Sequence, residues 1–121
     1  ASSMFTWGEF FASNGFVALV IGPNDEINDS HQQRAEGLLD GKETIIQENS
    51  RELSPIYGLL DITNTSVCGY SMGGGAVQIA AMLDNSLKLA ISLNATTDET
   101  RKMIMPINVK FTRMVNTRSK I

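Results

Sequence analysis

One cysteine, one histidine and three prolines among 121 residues remove several function classes before any motif is read. Cys68 has no partner for an internal disulfide, and His31 alone beside it cannot complete a zinc site, so no metal or cofactor is expected. Basic residues occur singly or in pairs, and the net charge is −3. That leaves no footprint for a phosphate backbone or an anionic lipid face, and nucleic acid is not an expected partner. The longest strongly apolar run, GFVALVIG at 15–22, falls well short of the roughly 20 residues a membrane span needs. No charged segment leading into an apolar one opens the sequence, so no signal peptide is read from it and localisation stays open. Neither GxGxxG nor GxxxxGK[ST] can be laid over the glycine-rich stretch GYSMGGGA at 69–76, which excludes the common phosphate-cradling loops.

Apolar residues make up 42% and charged residues 19%, an ordinary globular balance at a length that suits one domain over 1–121. The elements alternate. Phe5, Trp7, Phe10 and Phe11 recur at helical spacing over 4–13 and read as core-facing, with Asn14-Gly15 as the stop. FVALVI at 16–21 is a continuous apolar run, half of it β-branched, between glycines, the pattern of a strand buried on both faces. GPNDEINDS at 22–30 reads as a loop. A helix is expected from about Ser30 to Glu48, weakened by Gly37 and Gly41. SPIYGLLDITN at 54–64 reads as a connection, TSVCG at 65–69 as a strand, GGAVQIAAMLD at 74–84 as a small-residue helix and KLAISLNA at 88–95 as a further strand. Helix and strand in alternation predict an α/β fold with a doubly wound sheet of mainly parallel strands. In that sheet Cys68 reads as a small buried strand residue.

The strand at 65–69 runs into Gly69-Tyr70-Ser71-Met72-Gly73 and then into a helix, the context of the G-x-S-x-G nucleophile elbow. Small residues two before and two after the serine let strand and helix pass closely, and Gly69 and Gly73 fill those places. The turn aims the Ser71 hydroxyl outward at the sheet's carboxyl edge. There the helix N-terminus and the backbone N–H of Met72 can receive a developing oxyanion.

Together these stretches resemble the bacterial cutinases and polyester (PET) hydrolases of the α/β-hydrolase fold. GYSMGGGA resembles that family's elbow, FASNGFVALVIGPN its helix-to-strand passage, SPIYGLLD the connection ahead of the elbow strand, and NSLKLAISLNA the segment after the elbow helix. Residues 1–96 are covered in register, and the chain looks like the central portion of the fold, a single but incomplete domain. The resemblance implies a serine carboxylic ester hydrolase with Ser71 as nucleophile, the Met72 N–H as one oxyanion donor, an ester or polyester as substrate and secretion from the cell.

The departures from the family's pattern are specific. Thr96 stands where the family's substrate-stacking Trp would fall, Gly22-Pro23 where it has Asp-Thr, and Ala76 where it has a fourth glycine. The family's catalytic Asp slot, counted from Pro106, lands on Val115 beside Asn116. No Asp or Glu follows Glu99, and no His follows Ser71, although this fold orders its triad Ser, Asp or Glu, His. His31 reads as a surface residue near a helix start and away from the elbow, or as a substitute base if it reaches Ser71. Asp84 and Asp98 read as a helix-end and a loop charge. The chain is therefore expected to be an impaired esterase, or else a non-catalytic binding module that retains the elbow, with unpaired sheet edges open to self-association.

Overall fold

In the computed structural model, which describes residues 2–96, the first helix, α1 (Ser2–Ser13), stops where Asn14-Gly15 predicts. Gly15 sits at φ 87, a left-handed conformation open to glycine. The Gly15 and Phe16 amides donate back to the Ala12 and Phe11 carbonyls, both at 3.2 Å, and so satisfy two acceptors that a helix end otherwise leaves open. The second helix, α2 (His31–Ser50), starts on a reciprocal cap. The Gln33 amide donates to the Ser30 hydroxyl at 3.2 Å, and the Ser30 amide donates to the Gln33 side chain at 2.8 Å. Arg34 then donates to the loop carbonyls of Glu26 and Asp29 at 2.9 and 3.2 Å. Gly37 and Gly41 leave α2 unbroken.

The remaining elements form one β–α–β unit: β1 (Ser66–Tyr70), α3 (Met72–Leu83) and β2 (Leu89–Leu93). The strands are parallel, with Ser66 opposite Leu89, Cys68 opposite Ile91 and Tyr70 opposite Leu93. Helix α3 packs against both strands and against α2. Its buried residues are Gly74, Gly75, Ala76, Val77, Ile79 and Ala80, of which the last four form the core with Ala35 of α2 and Val67 of β1. Small side chains bring helix and sheet together, and the layers are those of an α/β fold.

Two expectations need correction. Residues 16–21 form no strand and pair with none among the described residues, whose sheet is β1–β2 alone. Nor are they buried on both faces, with Leu19 49% and Ile21 38% exposed. Their side chains nevertheless keep the period-two alternation of a strand. Leu19 and Ile21 lie against Gly41 of α2, while Val20 lies over Gly8 of α1. The segment thus threads between two helices without a ladder, because apolar alternation encodes faces and says nothing of which backbone will supply hydrogen bonds. The aromatic stripe of α1 is also not core: Phe5 and Phe10 are 59% and 51% exposed. Trp7, Phe10, Phe11 and Phe16 pack edge-on or tilted against one another at 5.7–6.2 Å, so the periodicity marks a self-packed cluster.

At the far end of α3, Asp84 receives hydrogen bonds from Lys42 at 2.5 Å and from Ser86, which joins α3 to α2. The Lys42 ammonium, and after it the Ser86 hydroxyl, hold the Asp84 carboxyl down to about 2, below the ordinary 3.8. A depressed carboxyl contributes stability that is complete above its unfolded pKa and is lost as pH falls through the folded one. Unfolding midpoints should therefore fall between about pH 4 and pH 2. Glu48, held to about 2 first by Arg51 and then by Ser54, titrates in the same window. The smaller acid loss expected in Asp84→Asn isolates the Lys42 pair, and identical acid profiles would show that the pair contributes nothing.

Candidate active site

β1 ends at Tyr70 and α3 begins at Met72, which leaves Ser71 as the whole connection. Its backbone takes φ 56 and ψ −118, a conformation that costs a side-chain-bearing residue roughly 1–3 kcal/mol and persists only where its surroundings over-determine it. Three hydrogen bonds do so. The Ser71 amide donates to the Leu93 carbonyl at 3.0 Å, and the Ser71 carbonyl accepts from the amides of Gly75 at 3.1 Å and Thr96 at 3.0 Å. Asn94, at φ 44, is the other non-glycine residue with positive φ among the described residues. It bends the chain after β2 so that Thr96 returns to Ser71.

The glycines divide by what surrounds them. A Cβ on Gly69 would lie 2.3 Å from the Gly73 carbonyl oxygen, and one on Gly75 would lie 2.0 Å from the Thr96 carbonyl oxygen. Gly74 is closed by the Leu93 carbonyl at 3.0 Å, whereas a Cβ on Gly73 meets nothing within 4 Å. Close passage of strand and helix thus requires Gly69 as expected, but the second constraint falls on Gly74 and Gly75, which pack against the segment after β2, and not on Gly73.

The Ser71 hydroxyl makes no capping hydrogen bond and has no side-chain partner among the described residues. The Met72 amide, at the first helical position, lies among the N–H groups that a helix leaves unsatisfied, at the positive end of the α3 dipole. Exposed Tyr70 flanks the turn. Half-buried Cys68 lies three residues before Ser71 on β1, and burial pushes its thiol up. That leaves less of the reactive thiolate at neutral pH. No group of three His, Cys, Asp or Glu side chains among the described residues could hold a metal ion.

His31 is not remote from the Ser71 turn. It is the first residue of α2, its Nε2 is hydrogen-bonded to the Thr96 hydroxyl at 3.3 Å, and its ring packs over Gly75. It makes no hydrogen bond with Ser71. Asp84 caps the other end of α3, about 20 Å along the helix from Ser71 at 1.5 Å per residue, and is committed to Lys42. Asp98, Pro106, Val115 and Asn116 lie outside the described residues. What sequence reasoning missed is the main chain that holds the turn, the Leu93 carbonyl and the Thr96 amide. Asn94 was the available signal, as a residue type tolerant of left-handed turns directly after a strand.

In comparison with known protein families, residues 1–110 match the model of the family described as PETase, PET hydrolase-like. No curated protein matches the chain.

Proposed function

The chain belongs to the PET hydrolase-like family, whose fold is that of the α/β-hydrolases, and from that premise we propose that it is a serine carboxylic ester hydrolase acting through an acyl-Ser71 intermediate. The observation that carries this reading is the strained Ser71 turn between β1 and α3, whose hydroxyl makes no capping hydrogen bond and has a helix N-terminus beside it. Ser71 Oγ attacks the ester carbonyl carbon, and the Met72 N–H donates to the oxygen that becomes negative. The carbonyl then reforms, the alcohol departs with the serine proton, and water cleaves the acyl-serine to acid and free Ser71. The substrate class is an ester of a short acyl chain or a polyester.

The proton from Ser71 needs an acceptor. No histidine follows Ser71 in the sequence, and the side chain of His31 is engaged with Thr96. The 121-residue chain should therefore hydrolyse p-nitrophenyl butyrate slowly, with little beyond the roughly 10³–10⁴-fold over water that binding and an oxyanion hole leave to a broken triad. Glutamine keeps a hydrogen-bonding group near the position of Nε2 but cannot take the proton, so His31→Gln should retain that slow rate. Fast turnover that vanishes in His31→Gln would make His31 the general base. A Ser71 hydroxyl without a hydrogen bond among the described residues also fits a second reading, a binding module that keeps the elbow without turnover. Under it, Ser71 would never carry an acyl group.

A further inference from the structure

We propose that His31, acting through Thr96, is the positioning residue that holds the Ser71 turn in its strained form. The inference rests on reading Ser71 as the reacting residue, since only then does the geometry of this turn matter to the chemistry.

The Ser71 carbonyl is held by two amides. Gly75 belongs to the first turn of α3, whereas Thr96 comes from beyond the end of the ladder, whose last pair is Tyr70 with Leu93. Asn94, Ala95 and Thr96 are all exposed, and no strand pairing fixes them. Among the described residues the hydrogen bonds of Thr96 are two: its amide donates to the Ser71 carbonyl at 3.0 Å, and its hydroxyl is bonded to His31 Nε2 at 3.3 Å. The first bond shapes the turn and the second anchors the residue that makes it.

The anchor is a firm one. His31 opens α2, whose start is fixed by the Ser30 and Gln33 cap and by Arg34 on the Glu26 and Asp29 carbonyls. The imidazole also packs so closely over α3 that a Cβ on Gly75 would stand 2.5 Å from its Cδ2 and 3.1 Å from its Nε2. Ring, glycine and Thr96 carbonyl leave no room for one another to shift. Position is thereby transmitted from the capped end of α2, through the imidazole, to the Thr96 amide and on to the Ser71 carbonyl. His31 touches no reacting atom on this path, so its role is positional.

Amide hydrogen exchange followed by NMR on the whole 121-residue chain tests the proposal. His31→Ala should speed exchange of the Thr96 amide about fivefold to tenfold, the worth of one hydrogen bond, and Thr96→Val should free the anchor to the same degree by leaving Gly75 and Ser71 less protected. The double variant should be no faster than either single, because both remove one link. His31→Gln and Thr96→Ser, which keep the bond, should stay within about twofold of the parent. Val77 and Ile79 in the α3 core should be unaffected, which separates local release from general destabilisation. The His31 Nε2 resonance should move in Thr96→Val and hold in Thr96→Ser. Unchanged exchange in His31→Ala, or additive effects in the double variant, would overturn the proposal. No part of this depends on turnover, so failure of acylation at Ser71 would remove the nucleophile and leave the positioning intact.

Discussion

Ser71→Ala should remove the covalent share of p-nitrophenyl butyrate hydrolysis and leave only the small remainder that binding and a partial oxyanion hole sustain. Without Oγ there is no covalent route, and what remains is attack by water. The fold should be unaffected, because the hydroxyl makes no capping hydrogen bond that its loss would break. Ser71→Gly sharpens the point. At φ 56 a serine carries strain of roughly 1–3 kcal/mol, while glycine is free of it but adds about 0.5–1 kcal/mol of unfolded-state entropy. The Gly variant should thus be equally impaired and about 1 kcal/mol more stable. An impaired yet stabilised protein is the signature of strain kept for function. Undiminished turnover in Ser71→Ala would take Ser71 out of the mechanism.

Gly75→Ala should destabilise the chain by about 3 kcal/mol or more, the upper range of overpacking in a closed site, because the methyl group would meet the Thr96 carbonyl at 2.0 Å and the His31 ring at 2.5 Å. The carbonyl is main chain and cannot rotate away, so either the 94–96 segment or the start of α3 must move. Both movements break a hydrogen bond to the Ser71 carbonyl. Gly69→Ala, facing the Gly73 carbonyl at 2.3 Å, should behave alike. Gly73→Ala, with open space around it, should be neutral or gain up to about 1 kcal/mol of helix propensity. Urea unfolding midpoints of the three variants check the order. A Gly73→Ala loss as large as that of Gly75→Ala would contradict the division of the glycines described above.

The strand-to-helix turn at Ser71 was legible in the sequence because its determinants are local. Gly69, Ser71 and the small residues of 72–80 lie within a dozen positions, and their conformational needs are properties of the residues themselves. The β1–α3–β2 order was readable for the same reason, with helix and strand periods changing at glycines and turn formers. What local pattern could not carry was pairing and exposure. FVALVI at 16–21 alternates as a strand must, yet its backbone meets no ladder among the described residues. The aromatics of α1 have a core's periodicity, but they cluster with one another at the surface. The contact between His31 and Thr96 spans 65 residues, and no spacing rule links a helix's first residue to a loop so far along the chain. The glycine run likewise announced close approach without saying to what, and only the fold shows that Gly75 yields to Thr96 and His31.

Mass spectrometry of the chain after exposure to p-nitrophenyl butyrate at low pH quench tests the central claim most directly, because slow deacylation leaves the intermediate to be seen even where turnover is poor. A butyryl adduct confined to the peptide that contains Ser71, and absent from Ser71→Ala, is the predicted result. An adduct on another residue, or an unmodified Ser71 in a chain that still hydrolyses the ester, would contradict it.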